Sequence, residues 1–197
     1  MDKRKRDSLT KDAIKDQITE AIRISKGIDI DNLLEIANEI TLAFQKGNKV
    51  LVCGNGGSAA DAQHIAGEFL GHFNLPRSPL PAIALTTDSS SLTAIANDFG
   101  YEHVFARQVE ALATPGDILI GISTSGNSQN VLRAVETAKS KGALTVGFCG
   151  DQGKLKGLVD YFYSPQSKNT QRIQESHIMA AHIICYVVDH NLASDSD

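Results

Sequence analysis

Tryptophan is absent from this 197-residue sequence, and aromatic residues as a whole make up only 6% of it. Proteins that bind single-stranded nucleic acid use aromatic side chains on which bases stack, so this composition argues against that class. The net charge of −4 also provides no broad basic surface for a phosphate backbone. We therefore predict that the protein has no nucleic-acid partner.

The sequence also lacks long apolar runs. None approaches the ~18 consecutive residues that a membrane-spanning helix requires. The basic start, MDKRKRDS, is not followed by the apolar stretch of a secretory signal. We therefore predict no association with a membrane.

Cysteine is rare, and its three positions, Cys53, Cys149 and Cys185, are far apart in the chain. An odd number of separated cysteines with no C-x-x-C pair argues against a disulfide framework and against an all-thiolate zinc site. This usage is typical of proteins in a reducing compartment. We predict a cytoplasmic protein.

What is present resembles the composition of an ordinary globular protein, with 42% hydrophobic and 21% charged residues in a length that fits one domain. In residues 1–48, helical spacing of apolar residues predicts one helix over 11–25 and a second from an N-cap at Asp31 to Gly47. We predict that these helices serve oligomerisation and belong to the same domain as residues 49–192. Residues 193–197 are predicted to form a tail.

From residue 49, short apolar runs alternate with helical stretches. The runs lie at 50–54, 82–86, 117–123 and 143–148, with a weaker one at 161–163. The helical stretches lie at 58–70, 89–97, 103–112 and 129–140. Continuous apolar runs are typical of strands that are buried on both faces of a parallel sheet. The order predicts an α/β protein with a three-layer, doubly wound parallel sheet of the flavodoxin-like or Rossmann-like kind.

A long helix is predicted from about Thr170 to His190. Its segment 178–188 is apolar almost all round, which indicates burial on more than one side. Because a single chain of this length has a limited interior, we infer that this helix packs against another subunit.

Two loops that join a predicted strand to a predicted helix have the composition of an anion site. The first, CGNGGSAAD (53–61), has glycines that allow close approach of the backbone, at Gly54, Gly56 and Gly57. The second, STSGNSQN (123–130), has four hydroxyls, at Ser123, Thr124, Ser125 and Ser128. Helix N-termini at the carboxyl ends of parallel strands favour anions. Neither loop contains lysine, so they suit a phosphate monoester better than a nucleoside triphosphate. For the first loop, a turn without a ligand is the alternative.

Four further side chains could carry chemistry. His64 and Glu68 are four residues apart on one predicted helix, which places an imidazole and a carboxylate on the same face. Gln174 and His182 are separated by ~80° and ~12 Å on the terminal helix, so spacing alone does not pair them on one small ligand. For His64 and Glu68, the structural alternative is a pair exposed on the helix surface. For His182, it is a histidine that is hydrogen-bonded in the core.

Asn97 and Asp98 stand near the end of a predicted helix, where a turn or cap role is the default and a contact to a sugar is the alternative. Together, the segments CGNGGSAADAQH, ANDFG, GISTSGNS and RIQESH resemble those of the sugar isomerase (SIS) domain family and, within it, the phosphoheptose isomerases. The resemblance extends over essentially the whole chain. It implies the SIS fold and a cytoplasmic homotetramer with active sites between subunits.

The resemblance also implies an activity and a set of site residues. The activity is conversion of sedoheptulose 7-phosphate to D-glycero-D-manno-heptose 7-phosphate by an enediol-type proton transfer, the first step of ADP-heptose biosynthesis for glycans such as lipopolysaccharide core. The catalytic residues carried over are Glu68 and His182. The ligands of one Zn²⁺ per subunit would be His64, Glu68, Gln174 and His182. The substrate-binding residues would be Asn55, Gly56, Gly57, Glu68, Asn97, Asp98, Ser123, Thr124, Ser125, Ser128 and Gln174.

Several alternatives stay open. A carboxylate that is bound tightly to zinc is a weaker base, so either the metal is weakly held and Glu68 is the base, or the metal is a Lewis acid and another group is the base. The phosphosugar could have a different length. A non-catalytic SIS adaptor that binds the replication initiator DnaA is the alternative function, although Glu68 and His182 favour catalysis because adaptors typically lack them. Gln171 departs from the acidic or small residue that is frequent in the family.

Overall fold

The computed structural model describes residues 3–193, with side chains from Thr10 onward. All of the predicted tail at 193–197 except Ala193 lies outside the described residues. The helices are α1 (Lys3–Lys26), α2 (Ile30–Gln45), α3 (Gly57–Leu70), α4 (Ser89–Phe99), α5 (Ala106–Leu112), α6 (Gln129–Ser140) and α7 (Thr170–Leu192). The strands are β1 (Val50–Gly54), β2 (Ala82–Ala84), β3 (Ile118–Ser123), β4 (Leu144–Cys149) and β5 (Tyr161–Tyr163). Short 3₁₀ turns occupy Tyr101–His103 and Leu155–Gly157.

The five strands form one parallel sheet in the order β2-β1-β3-β4-β5. Alternate side chains of the strands enter two separate cores. Val50 and Val52 of β1 pack with α2, α3 and α7, whereas Leu51 and Cys53 pack with α4, α5 and α6. Both faces of the sheet are therefore covered, which explains why the strands are continuously apolar. The predicted three-layer, doubly wound α/β fold is confirmed.

The ends of several elements differ from the sequence prediction. The N-cap of α2 is Asp29, whose Oδ1 accepts from the N–H of Asn32 at 3.1 Å, and not Asp31, which lies inside the helix. The first helix begins at Lys3 rather than at residue 11, because its polar first turns carry no apolar periodicity that a pattern could detect. The predicted helix at 103–112 is divided into a 3₁₀ turn and α5.

The N-terminal helices pack on α7. α1 is fixed there by a 2.8 Å hydrogen bond from Ser167 Oγ to Glu20 and by one of 3.0 Å from Arg172 to the carbonyl of Gln17. α7 buries one side in the core, while another side remains exposed. Among the side chains that the structure describes, the large apolar residues exposed on these two helices are Ile14, Ile18, Ile22, Met179, Ile183 and Tyr186. Within residues 3–193, no helix has the length and apolarity needed to cross a membrane.

Candidate active site

The two predicted anion loops lie side by side at the carboxyl edge of the sheet. β1 and β3 are adjacent, with Gly54 in register with Ile122. β2 pairs with the other edge of β1, whereas β4 pairs with the other edge of β3. The strand order therefore reverses between β1 and β3, and doubly wound α/β proteins bind ligands at this reversal.

The loop after β3 gathers its hydroxyls into a compact cluster. Ser123 Oγ is 2.9 Å from Ser128 Oγ and 3.4 Å from Ser125 Oγ. Ser125 Oγ also accepts from the N–H of Asn127 at 3.2 Å, and Gly126 makes the turn with φ +66°. α6 begins directly after this cluster, so the first N–H groups of the helix add partial positive charge. The arrangement suits a phosphate group.

Thr124 and Ser125 line a cavity of about 340 Å³. The opposite wall comes from the segment before α7 and the first turn of that helix, including Lys168 and Thr170. The sequence interpretation noted that neither anion loop contains a lysine, and it missed that the fold brings Lys168 to this cavity. Its position two residues before α7 is the signal that could have found it, because the start of α7 lies at the same end of the sheet. The positive charge of Lys168 would favour a phosphate dianion, whereas the carboxylate of Asp151, which also lines this cavity, would oppose it.

The side chain of Asn55 is used within the protein. It exchanges two hydrogen bonds with the amide of Asn130, at 2.8 and 2.9 Å, and its Oδ1 also accepts from the Tyr101 hydroxyl at 2.9 Å. These three residues, with Ser128, line a cavity of about 490 Å³. The network fixes the first anion loop to α6, and any further contact of Asn55 with a ligand would come most simply from its backbone N–H. Tyr101 and Asn130 were not identified from the sequence.

The first loop passes close to Gln174 of α7. A Cβ atom on Gly57 would lie 1.9 Å from Nε2 of Gln174, so only glycine leaves room for this amide. Beside it, burial raises the pKa of the Asp61 carboxyl, against the opposing effects of a hydrogen bond from Gln174 and of the nearby His64 ring. Oδ2 of Asp61 has no hydrogen-bond partner among the described residues. Asp61 was not identified from the sequence, although it stands one turn before His64 on the same helix.

His64, Glu68 and His182 meet where α3 and α7 run alongside each other. His64 Nε2 is 2.9 Å from Glu68 Oε1 and 3.2 Å from His182 Nε2. One nitrogen or oxygen from each of the three side chains lies within 4.8 Å of the other two. The side chain of His64 is 45% exposed, so the cluster is open to solvent. The i, i+4 pair on α3 is present as the sequence predicted, whereas the approach of His182 could not be deduced from spacing.

This cluster fits the requirements of a zinc ion. Two imidazoles and a carboxylate are common zinc ligands, and tetrahedral bonds of ~2.0–2.1 Å place neighbouring donors ~3.3–3.4 Å apart. The 2.9 and 3.2 Å separations around His64 are close to that spacing. Gln174 stands apart: its amide lies beside Gly57, and no hydrogen bond within the described part of the chain joins it to the three residues.

Asn97 and Asp98 lie in the last turn of α4, which continues to Phe99. Both are exposed, and the Asn97 side chain donates to Asp98 Oδ1 at 2.8 Å. Across residues 3–193 no hydrogen bond joins either side chain to the two anion loops. Tyr101, three residues after Asp98, does reach the first loop through its hydrogen bond to Asn55.

The cysteines near the site are not suited to nucleophilic chemistry. Burial raises the pKa of Cys53, at the end of β1, to about 12. Burial also raises the pKa of Cys149, at the end of β4, to about 11. Both thiols are free and remain protonated at neutral pH, so they act as small packing groups.

Comparison with known proteins agrees with the fold. Residues 15–150 match the SIS domain family. The chain is 51% identical over 184 residues to a phosphoheptose isomerase of Aneurinibacillus thermoaerophilus, which covers 90% of this chain and 93% of that protein. The solved structure of phosphoheptose isomerase GmhA from Neisseria gonorrhoeae superimposes with a TM-score of 0.86 at 40% identity, covering 92% of this chain and 99% of that one. A phosphoheptose isomerase from Francisella tularensis gives the same TM-score at 36% identity, covering 93% and 98%.

The family match covers more than half of the chain, and the relatives are similar over nearly their whole lengths. The chain belongs to the SIS domain family and, within it, to the phosphoheptose isomerases.

Proposed function

We propose that the protein converts sedoheptulose 7-phosphate to D-glycero-D-manno-heptose 7-phosphate, as the first step of ADP-heptose biosynthesis for glycans such as lipopolysaccharide core. Membership of the phosphoheptose isomerases supports a sugar phosphate as the substrate. The observation that carries the proposal is the meeting of His64, Glu68 and His182 beside two loops built for an anion. An aldose–ketose isomerase needs both parts, one for the phosphate and one for the proton transfer.

The proposed chemistry moves one proton between two neighbouring carbons. Glu68 takes the proton from C1 of the ketose, and the electrons of that C–H bond form the C1=C2 double bond of an enediol. Return of a proton to C2 gives the aldose, while His182 moves the proton between the two sugar oxygens. The side chain of Glu68 is 25% exposed, so it is accessible to a small ligand.

We also propose one Zn²⁺ per subunit, held by His64, Glu68, Gln174 and His182. When bound, the metal would polarise the carbonyl and hydroxyl oxygens of the sugar. The close approach of His64, Glu68 and His182 supports these three as ligands. Gln174 lies eight residues before His182 on α7, and it would join the metal ligands through a change in the position of its side-chain amide.

The phosphate is proposed to bind the hydroxyls of Ser123, Thr124, Ser125 and Ser128, and Lys168 would supply charge to the same cavity. Gly56 and Gly57 would offer backbone N–H groups to the sugar, as would Asn55. The convergence of three hydroxyls at the start of α6 supports this assignment.

We propose that the active form is a cytoplasmic homotetramer with its sites between subunits. Two observations support it. The apolar side chains Ile14, Ile18 and Ile22 on α1 and Met179 and Ile183 on α7 are exposed in the single chain. The side chains of Asn97 and Asp98 are also exposed and make no hydrogen bond to the loops within the described residues, as expected for residues that complete the site of a neighbouring subunit. Sedimentation equilibrium should give four times the chain mass of 21.1 kDa.

The proposal is tested by NMR of sedoheptulose 7-phosphate incubated with the protein in heavy water. We expect signals of the aldose, with deuterium at C2 when the transferred proton exchanges with solvent. Parallel samples with a ketohexose and a ketopentose phosphate would identify the preferred chain length. Absence of aldose with all three sugars, in protein supplied with zinc, would contradict the proposal. The comparisons give no support to the alternative of an adaptor that binds DnaA.

A further inference from the structure

Asp189 near the end of α7 is fully buried and forms an ion pair with Arg77, which is 1% exposed. Its Oδ1 accepts from Arg77 Nε at 2.6 Å. Its Oδ2 accepts from three consecutive backbone N–H groups, those of Phe73, Asn74 and Leu75, at 2.7 to 3.2 Å. One carboxylate thus holds residues 73–75 and Arg77 of the segment that follows α3. These interactions lower the pKa of Asp189 despite its burial.

The guanidinium of Arg77 is equally occupied, and its contacts reach Glu68. Nη2 donates to the backbone carbonyl of Glu68 at 2.9 Å, and Nη1 donates to that of Phe69 at 2.9 Å. These carbonyls belong to the last turn of α3, where the C=O groups have no N–H partner within the helix. Arg77 therefore caps α3 at the residue that carries the proposed catalytic carboxylate.

The same segment reaches His182. The ring of Phe73 lies 5.3 Å from the His182 ring, measured between centroids. His182 and Asp189 are seven residues apart on α7, so they lie on the same face, two turns from each other. Phe73 thus contacts His182 while its own N–H is held by Asp189.

We propose that Arg77 and Asp189 are positioning residues for isomerisation: their ion pair fixes the distance between Glu68 on α3 and His182 on α7. The proposal rests on the proposed function. Catalytic groups need to be held to within about an ångström, so a small shift of the end of α3 is expected to lower kcat more than it raises KM. Neither residue belongs to the four metal ligands, and neither is accessible to substrate.

A purely stabilising ion pair is the alternative, and the chain contains a matched control. Asp117 is also buried, bonds Lys49 Nζ at 2.6 Å, and accepts from the backbone N–H groups of Lys49 and Thr114. This pair lies at the amino-terminal ends of β1 and β3, whereas the site lies at the carboxyl ends of the strands. Asp117→Asn should therefore destabilise the fold without a direct effect on the site.

The test compares Arg77→Lys with Asp117→Asn. Lysine keeps a positive charge for Asp189, but it lacks the planar fork that reaches both carbonyls of α3. We expect Arg77→Lys to lower kcat at least tenfold with KM within about twofold. Asp117→Asn should lower the urea midpoint of unfolding at least as much as Arg77→Lys does, and it should leave kcat unchanged. Equal effects of the two variants on kcat, relative to their loss of stability, would overturn the proposal.

A second readout is independent of turnover. The ring ¹H–¹³C NMR signals of His64 and His182, assigned with the two His→Gln variants, should move in Arg77→Lys and not in Asp117→Asn. If Arg77→Lys fails to fold, Asp189→Asn replaces it, because it removes the charge of the ion pair and leaves every ring near His182 in place; the His64 and His182 signals should again move. Unchanged signals would overturn the positioning role. Moved signals in a protein that does not convert sedoheptulose 7-phosphate would uphold the coupling and reject only the proposed function.

Discussion

The Nε2 atoms of His64 and His182 lie 3.2 Å apart, although the two residues are 118 positions apart in the sequence. Two imidazoles at this distance share one proton or one cation, because two lone pairs or two N–H groups facing each other would repel. The third member, Glu68, places its Oε1 2.9 Å from the same nitrogen, His64 Nε2, so the three donor atoms converge on one point. The cluster is therefore suited to hold a cation and to transfer a proton.

Glu68→Gln should reduce turnover by a factor of ~10²–10⁴, because an amide cannot take the C1 proton. The oligomer and the affinity for inorganic phosphate should be unchanged, since Glu68 is not in the hydroxyl cluster. Steady-state kinetics and phosphate titration would measure both. The control is Glu136→Gln, on an exposed position of α6. Turnover within twofold of the parent protein would exclude Glu68 as the base.

Ser125→Ala should weaken substrate binding more than it slows the chemistry. Loss of a hydrogen bond to a charged group costs ~1.5–3 kcal/mol, so KM should rise ~10–100-fold while kcat stays within about twofold. Ser140→Ala, at the exposed end of α6, is the matched control. A kcat that falls as much as KM rises would show that Ser125 acts on the reacting carbons instead.

Removal of metal should abolish activity, and zinc should restore it, if the cluster around His64 holds the ion. Mass spectrometry of metals should find one zinc per chain in the parent protein and a clear deficit in His64→Gln. His190→Gln, an exposed histidine at the end of α7, should keep full occupancy. Full activity of metal-free protein would leave only a metal-independent mechanism.

Gly57→Ala should displace Gln174, because the added Cβ would lie 1.9 Å from its amide nitrogen. We expect a folded protein with activity reduced at least tenfold and with weaker zinc binding. The control, Gly67→Ala, lies on the same helix, where a Cβ meets nothing within 4 Å. That variant should gain ~1 kcal/mol from helix propensity and keep its activity. Normal zinc affinity in Gly57→Ala would argue against Gln174 as a ligand.

The stability of the fold should decrease on acidification because of His177. Its burial lowers its pKa to about 4, from an ordinary value of 6.5, although its hydrogen bond to the carbonyl of Cys149 opposes this. The unfolded chain therefore binds a proton that the folded chain refuses. The contribution is fully present above pH 6.5 and is lost between pH 6.5 and 4, at a cost of up to ~3 kcal/mol.

Urea unfolding at several pH values would measure this slope. His177→Gln should remove most of it, whereas His190→Gln, which alters an exposed ring, should retain it. An identical slope in His177→Gln and the parent protein would assign the acid sensitivity to other groups, among them the buried Asp189.

The parallel sheet, the helices on both of its faces and the two anion loops could be predicted from local patterns. A run such as 118–123 is apolar on both sides, so it is predicted to be buried on both faces wherever it lies in the sheet. His64 and Glu68 could be paired because i, i+4 spacing is a property of one helix. The predicted N-cap of α2 was wrong because Asp29 and Asp31 have the same side chain. Only the extended backbone at Asp29, with φ −77° and ψ 100°, identifies it as the N-cap.

The amino-acid sequence by itself thus determined the elements, their order and the chemical character of each loop, because these depend on residues that are close along the chain. Only the tertiary structure decided which elements meet: that α7 carries His182 to His64, that Lys168 reaches the hydroxyl cavity, and that Arg77 and Asp189 join the ends of α3 and α7. The physical reason is that such meetings depend on how helices pack across a buried sheet. The pattern of a single segment contains no information about its neighbour.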